Sequence, residues 1–245
     1  MPLDRRALKE RSNYVIRNYD AGIVRVSSLY LLFTILVAVL STNLVGIKFT
    51  ETDALRYAQY VTEGNYEYAL SLLQTIQPPA RAYLINALLL LVSGVVGIGY
   101  ISFLLNSVRR RPAGIGNLMD GFTYLAKSVA LLVLQFLGIT LAALLLIVPG
   151  IVLYYRWSMA QYLLADDPTR TTIQCLRESA LMMHGNKWEL FLLDLSFIGW
   201  AIAGILPIIG YAVRVWTTPY ISTTKVLYYE MLLGKDVFTD PPITE

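Results

Sequence analysis

The stretch KSVALLVLQFLGITLAALLLIVPGIVLYYR, residues 127–156, holds 28 consecutive uncharged residues between two single basic ones. A helix needs about 20 mostly apolar residues to cross the hydrocarbon core of a bilayer, so this stretch is longer than one span requires. Pro149-Gly150 divides it, because proline lacks the N–H of an interior helical bond and glycine permits a turn. The sequence therefore predicts a helical hairpin, with one span over residues 127–148 and a shorter one over residues 151–165.

Long uncharged stretches occur along the whole chain. Of the 245 residues, 56% are hydrophobic and 15% are charged, whereas an average soluble domain is roughly a quarter charged. We expect an all-α fold, a polytopic transmembrane helical bundle of six spans that forms one integral membrane domain over residues 1–245, with a second break at residues 207–210. The spans are placed at residues 26–47, 83–105, 127–148, 151–165, 188–206 and 211–233. If each Pro-Gly pair only kinks one long helix, the chain has four spans, and this alternative stays open.

The basic residues are divided unevenly between the two sides that six spans create. Of the 20 lysines and arginines, 14 fall on the side of the N-terminus, 3 on the opposite side and 3 within spans. Basic residues concentrate in cytoplasmic segments, so we expect both termini in the cytoplasm. The same bias explains the net charge of +3 without nucleic acid. Membrane lipids and other membrane proteins are the expected partners, and the oligomeric state stays open.

Three connecting segments, residues 1–22, 48–82 and 166–187, combine helical apolar patterns with charged residues. We expect the first and third to be amphipathic interfacial helices on the cytoplasmic surface and the second to be extracellular. Asp4 is a candidate N-cap for the first helix, and Asp167-Pro168 is interpreted as the N-cap and first residue of the third. Passive anchoring is the simpler role for all three segments, and partner binding is the alternative.

Ionisable groups inside a span are costly and usually functional, and four such residues are candidate functional groups here. Arg156 and Arg214 each lie roughly 10 Å below the outer turn at 1.5 Å per residue. They are candidates to contact a lipid phosphate or an anionic substrate, or they snorkel to the interface. Asp194 and Lys225 lie at similar depths, about 20 Å and about 22 Å, and form a candidate buried ion pair. A protonated carboxyl group in a proton relay is the alternative for Asp194.

Polar and small residues within the spans indicate helix packing. Gln135 and Asn86 are expected to form hydrogen bonds between helices. Three glycines of the second span are expected to let another segment approach closely: Gly94, Gly97 and Gly99. The same spacing of proline to arginine occurs over residues 149–156 and 207–214, so an internal duplication of the hairpin is an open hypothesis.

Signatures of enzymes and cofactors are scarce. The single cysteine, Cys175, and the single histidine, His184, exclude a disulfide framework and sets of sulfur or imidazole ligands. No glycine-rich phosphate loop, paired-histidine metal motif or nucleophile elbow occurs. Asp166-Asp167 could hold a divalent cation with a substrate phosphate, although helix capping beside Pro168 explains these residues more simply. We expect no cofactor, no metal and no catalytic residue, in a protein that is not an enzyme.

Four stretches carry a resemblance to a known family. They are RRALKERSNYVIRNY at residues 5–19, LMDGF at 118–122, PGIVLYYRWSMAQYLLADDP at 149–168 and GNKWELFLLDLSFIGW at 185–200. Together they resemble the bacterial integral membrane proteins grouped as domain of unknown function 975 (DUF975). The hairpin is also loosely similar to the membrane domain attached to some glycerophosphodiester phosphodiesterases. The DUF975 resemblance implies a multi-span helical bundle in the bacterial cytoplasmic membrane. It implies no established activity, cofactor or catalytic residue.

Three functions are consistent with these features. The first is a non-enzymatic accessory, scaffold or lipid-handling module of the membrane, which follows from the missing catalytic motifs and the interfacial helices. The second is a small transporter for an anionic or amphipathic substrate, which would use the charges inside the spans. An intramembrane lipid enzyme that uses Asp166 and Asp167 is the third.

Overall fold

All regular secondary structure in the described part of the chain is helical. A computed structural model describes residues 4–19, 22–46, 50–75, 77–204 and 209–239, and within these ranges it contains α-helices, one short 3-10 helix and no strand. The α-helices are α1 (Arg5–Asn18), α2 (Ile23–Val45), α3 (Glu51–Thr62), α4 (Tyr66–Thr75), α5 (Ala80–Val108), α6 (Asp120–Thr123), α7 (Leu125–Leu145), α8 (Ile147–Arg156), α9 (Ala160–Asp166), α10 (Thr172–Met182), α11 (Lys187–Leu195), α12 (Ile198–Ala203) and α13 (Ile209–Leu232), and the 3-10 helix covers Ile115–Met119. The prediction of an all-α fold is confirmed.

Three helical segments of the described chain are long and apolar enough to cross a membrane, judged by length and composition. They are Ile23–Val45, Tyr66–Val108, which includes α5, and Leu125–Leu145. The helices α2, α5 and α7 match the first three predicted spans to within three residues at each end. The long uncharged stretches were therefore a sound guide to this part of the fold.

The last three predicted spans, unlike the first three, do not correspond to single long apolar helices. The fourth, residues 151–165, is split between α8 and α9, and the fifth is split between α11 and α12. Helix α13 is continuous and contains Pro219, but it also carries the charged residues Arg214, Lys225 and Glu230. None of these helices reaches the length and apolar composition of a spanning helix, so the count of six spans stays a prediction. The predicted break at Pro207 lies outside the described residues.

The turn of the α7–α8 hairpin lies earlier than the sequence predicts. Helix α7 ends at Leu145, and Leu146 adopts an extended conformation as the N-cap of α8. Pro149 then lies in the first turn of α8, where a missing N–H breaks no helical bond. Gly150 faces α7, because an added Cβ would lie 2.7 Å from the Cβ of Ala143. The Pro-Gly pair therefore permits tight hairpin packing and does not itself form the turn.

The chain forms two compact units, which we call the main unit, residues 1–32 and 94–245, and the second unit, residues 33–93. The second unit contains α3 and α4, within the segment predicted to be extracellular. A capping box starts α3: Asp53 N–H donates to Thr50 Oγ1 at 3.2 Å, and Thr50 N–H donates to Asp53 Oδ2 at 3.0 Å. Gly64, with φ +74°, lies in the turn before α4.

Helix α1 packs against α13 inside the main unit. Asp4 caps α1 as predicted, because its carboxylate accepts from two backbone N–H groups of the first turn. Leu8 and Val15 are almost completely buried, and the hydroxyl of Ser12 donates to the carbonyl oxygen of Tyr220 at 3.1 Å. The apolar face of α1 is therefore covered by protein, whereas the sequence suggested that it faces lipid.

The second half of α5 lies in close contact with residues 117–121. A Cβ added to Gly99 would lie 2.3 Å from the carbonyl oxygen of Leu118, and one added to Gly121 would lie 2.2 Å from the carbonyl oxygen of Val95. Asp120 stabilises this contact by accepting a hydrogen bond of 2.7 Å from the Ser102 hydroxyl. The predicted close approach is confirmed for Gly99, which faces the LMDGF stretch, and for Gly94, where an added Cβ would lie 2.7 Å from Leu132 Cδ1. It is not confirmed for Gly97, where an added Cβ would meet only the Tyr30 hydroxyl, at 3.4 Å.

We expect Gly99→Ala to lower the free energy of unfolding by about 1–3 kcal/mol, because the neighbouring backbone cannot move aside. Thermal unfolding in detergent measures this. The matched control is Gly199→Ala in α12, where an added Cβ meets nothing within 4 Å. The control should leave stability unchanged or raise it by up to about 1 kcal/mol. Equal effects of the two substitutions would contradict the close packing of Gly99.

Candidate functional site

The structure brings together the two residues predicted as an ion pair. Lys225 Nζ, on α13, lies 2.9 Å from Asp194 Oδ1, in the last turn of α11, and each side chain is about a quarter exposed, at 27% and 24%. The phenol of Tyr155, on α8, donates to Asp194 Oδ2 at 3.4 Å. The pair is therefore shared among three helices, and sequence reasoning did not identify the tyrosine.

A cavity of about 290 Å³ lies beside this pair. Its walls combine charged, amide and hydroxyl groups with aromatic and aliphatic side chains. They are formed by Ile101, Leu132, Gln135, Ile139, Tyr154, Trp157, Ser158, Met159, Gln161, Tyr162, Leu190, Asp194 and Lys225. Such a mixture suits an amphipathic molecule, whose polar group can face the ion pair while its apolar part contacts the rings and aliphatic chains.

The break between α8 and α9 forms one wall of the cavity. A broken helix leaves backbone groups without intrahelical partners, and these need other partners away from water. Gln135 of α7 donates from its amide to the Trp157 carbonyl oxygen at 2.8 Å. On the other side, the Ser179 hydroxyl donates to the Arg156 carbonyl oxygen at 3.0 Å and accepts from Met159 N–H at 3.1 Å. Side chains of α7 and α10 therefore satisfy the break.

The predicted hydrogen-bonding role of Gln135 is confirmed. Besides its bond to α8, its side-chain oxygen accepts from Gln161 Nε2 at 3.0 Å. Asn86, in the second unit, differs, because its side-chain oxygen is buried with no hydrogen-bond partner among the described residues. The same prediction is therefore unsupported for Asn86.

Arg156 and Arg214 do not line the cavity. Arg156 is the last residue of α8 and Arg214 lies in the first third of α13, and both side chains are exposed. Neither guanidinium has an ion-pair partner among the residues that the structure describes. The hairpins that carry them also differ, since the helix is broken after Arg156 but continues through Arg214. The hypothesis of a duplicated hairpin gains no support from this difference.

A second charged group, which we call the Arg109 cluster, lies where α5, α9 and α13 end. Arg109 forms ion pairs with Asp166, the last residue of α9, and with Glu230, whose Oε1 lies 2.6 Å from Arg109 Nη2. Glu230 Oε2 also lies 2.7 Å from Lys235 Nζ. The Tyr229 phenol donates to Asp166 Oδ2 at 3.0 Å. With only 4% of its side chain exposed, Glu230 is the most buried of these carboxylates.

Electrostatics hold the Arg109 cluster in its charged form. Burial alone would lower the pKa of Arg109, but hydrogen bonds with Asp166 and Glu230 outweigh burial and raise it. Burial alone would raise the pKa of Asp166, but the Arg109 guanidinium lowers it below its usual range. The stability that Asp166 contributes is therefore complete above about pH 4 and is lost as the pH falls through its lowered pKa.

Sequence reasoning did not find the Arg109 cluster. In the sequence, Arg109 is the first of three consecutive arginines that follow an apolar stretch, a pattern typical of a stop-transfer cluster, and Asp166 is a candidate helix-capping or cation-binding residue. One signal was available, because Glu230 is the only acidic residue in the predicted sixth span, and a lone carboxylate there requires a cation. Both oxygens of the Asp166 carboxylate are engaged, by Arg109 and Tyr229.

Asp167 does not start the helix that follows it. It is the C-cap of α9, and its carboxylate accepts from Thr169 N–H at 3.0 Å. Helix α10 begins four residues later than predicted, after the N-cap Thr171, whose hydroxyl accepts from Gln174 N–H in a capping box. The predicted N-cap was wrong because Asp167 closes the preceding turn. No three His, Cys, Asp or Glu side chains of the described chain are grouped as metal ligands.

Comparison with known proteins identifies one family. The model of DUF975, described as a protein of unknown function, matches residues 26–236. No curated protein and no solved structure gives a significant match. The matched range contains the Asp194–Lys225 pair, the cavity and the Arg109 cluster.

Replacement of Arg109 should destabilise the protein strongly. Arg109→Met leaves Asp166 and Glu230 without their shared cation, and breaking a buried pair in this way costs about 3–5 kcal/mol. The control is Arg111→Met, because the Arg111 side chain is exposed and has no ion-pair partner in the described residues. Thermal unfolding in detergent should separate the two variants clearly, and similar unfolding temperatures would argue against the cluster.

A double-mutant cycle should detect the pairing of Asp194 with Lys225. Asp194→Asn and Lys225→Met each leave one charge unpaired, whereas the double variant leaves none. Because the pair is partly exposed, we expect a coupling free energy of about 1–2 kcal/mol in detergent unfolding. Additive effects of the two substitutions would show that the contact contributes nothing to stability.

Proposed function

The chain belongs to the DUF975 family of proteins of unknown function, and we propose that it is a non-enzymatic lipid-handling module of the bacterial cytoplasmic membrane. In this proposal the protein is an accessory or scaffold component that binds a phospholipid. The binding site is the cavity beside the Asp194–Lys225 pair, and the contact is made at the level of the lipid headgroup.

One observation carries this proposal, namely the composition of the cavity walls. Lys225 offers an ammonium group to a phosphate, and Gln161 offers an amide. Trp157 and Leu132 offer apolar surface to the glycerol and the first carbons of the acyl chains. Asp194 neutralises Lys225 when the cavity is empty, so a phosphate would compete for a cation that is already desolvated in part. The exposed guanidinium of Arg156 lies next to Trp157 in the sequence and could join such a contact.

Membrane insertion is supported by the three helices that are long and apolar enough to cross a bilayer. The distribution of basic residues supports cytoplasmic termini. We therefore propose that six apolar segments enter the membrane and that both termini lie in the cytoplasm. Helices α3 and α4 then lie on the external side, with the ends of the first two spans.

A small transporter for an anionic or amphipathic substrate is the second candidate. The observation that favours it is the Asp194–Lys225 pair itself, because charges inside apolar segments often mark a substrate pathway. The two candidates differ in one property. A transporter moves its ligand across the membrane, whereas a lipid-handling module retains it.

Lipid that copurifies with the protein should depend on the cavity. We expect the double variant Asp194→Asn with Lys225→Met to lose most of its bound phospholipid, about tenfold, because the phosphate loses its cation. Native mass spectrometry in detergent measures the bound lipid, and Gln161→Leu should reduce it to a lesser extent.

Arg111→Met, at an exposed arginine outside the cavity, serves as the control and should retain its lipid. Equal lipid in all variants would contradict the proposed site. Uptake of labelled phospholipid or organic anion into proteoliposomes, abolished in the double variant without loss of fold, would instead establish the transporter.

A further inference from the structure

We propose that the two helical hairpins of the main unit, α7–α8 and α12–α13, enter only the cytoplasmic leaflet and return, so that neither hairpin crosses the membrane. This inference rests on the membrane insertion proposed above and replaces the expectation of full crossings for the last four apolar segments. It follows from the positions of charged side chains along the hairpins.

Helix α1 shows which part of the α12–α13 hairpin lies outside the hydrocarbon core. Lys9 Nζ donates to the carbonyl oxygen of Ser196 at 3.1 Å and lies 4.3 Å from the centre of the Phe197 ring. On the same helix, the side chains of the Arg6–Glu10 ion pair are 90% and 68% exposed. A helix with such exposed charges cannot lie against hydrocarbon. Ser196 therefore lies at the membrane surface or outside it.

Contacts connect this level to α13 and to the α7–α8 hairpin. Phe197 packs edge-on against Tyr220, whose carbonyl oxygen accepts from Ser12 of α1. Asp194, two residues before Ser196, binds Lys225 and accepts from the Tyr155 phenol. Tyr155 is followed directly by the exposed Arg156. The C-terminal ends of α8 and α11 and the middle of α13 therefore lie at one level. We call this level the charged layer and define it by Arg156, Asp194 and Lys225.

The apolar ends of the hairpins extend only a short distance beyond the charged layer. At 1.5 Å per residue, α8 reaches about 14 Å from Arg156 to Ile147, and α13 reaches about 17 Å from Tyr220 to Ile209. Helix α7 is 21 residues long, but Gln135 is held at the layer by its bond to the Trp157 carbonyl oxygen. From there α7 extends about 15 Å. The hydrocarbon core is about 30 Å thick, so these arms reach its middle.

The side chains at the tip of the α7–α8 hairpin fit the middle of a bilayer. Five consecutive aliphatic residues are between 67% and 81% exposed there, namely Leu144, Leu145, Leu146, Ile147 and Val148. Tyrosine and tryptophan favour membrane interfaces, and Tyr154 and Trp157 lie at the opposite end of α8, beside Arg156. A full crossing would put the aliphatic tip in the outer headgroups and Arg156 near the bilayer centre.

The position of Arg214 agrees with a hairpin that enters only one leaflet. It lies six residues beyond Tyr220 on α13, which is about 9 Å deeper than the charged layer. The long side chain of an arginine can extend most of this distance toward the headgroups. Residues 205–208, between α12 and α13 in the sequence, lie outside the described residues.

Nitroxide depth measurements test the inference. Spin labels are placed on single cysteines in a Cys175→Ala background, since Cys175 is completely buried. Leu146→Cys reports the tip, and Leu181→Cys on α10, equally exposed at 67%, is its matched control. In liposomes we expect the Leu146 label to lie close to the bilayer midplane and the Leu181 label at the headgroups or in water. Ile147→Cys is a second tip variant.

Labels at two further positions distinguish a failure of membrane insertion from a failure of the one-leaflet inference. Leu36→Cys on α2, 56% exposed, should report hydrocarbon; a water-exposed label there would overturn membrane insertion and this inference together. Asn65→Cys, in the second unit, should react with an impermeant maleimide outside intact cells, whereas Leu146→Cys should not. If Leu36 reports hydrocarbon but Leu146 reacts outside or lies at the outer headgroups, the hairpin crosses the membrane and only the present inference is overturned.

Discussion

The ion pairs of Arg109 are the interaction on which the packing of the main unit depends. A buried guanidinium must be compensated by carboxylates, because the cost of removing each charge from water is several kcal/mol. Asp166 and Glu230 provide this compensation from the end of α9 and from α13. The cluster therefore joins three helices that are distant in the sequence. Because Asp166 is the last residue of α9, the cluster also fixes the end of that helix.

Much of the fold could be predicted from local sequence, because uncharged length alone identified α2, α5 and α7. Depth arithmetic also paired Asp194 with Lys225, since both residues lie at similar distances from their turns. Features that depend on distant partners could not be predicted. The α8–α9 break requires Gln135 and Ser179 to satisfy its backbone groups, and nothing within residues 151–165 reveals them. The pairing of Glu230 was missed for the same reason.

Helix α1 shows the limit of a pattern based on amphipathicity. An apolar stripe with charges opposite fits a lipid surface and a protein groove equally well. The structure assigns the stripe to α13, where Leu8 and Val15 are buried. The charged side of α1 then becomes a marker of depth for the residues beneath it, and the cavity lies close to that level. A lipid headgroup bound beside Lys225 would thus need little displacement from its leaflet.

The aliphatic tip of the α7–α8 hairpin has a consequence for the membrane around the protein. A hairpin confined to one leaflet displaces acyl chains from that leaflet alone, so it acts as a wedge. The two leaflets would then differ in area near the protein, and the bilayer would bend to relieve the difference. Such a protein would favour curved or loosely packed regions of the inner leaflet. Its location in the cell would then depend on the shape of the membrane as well as on its partners.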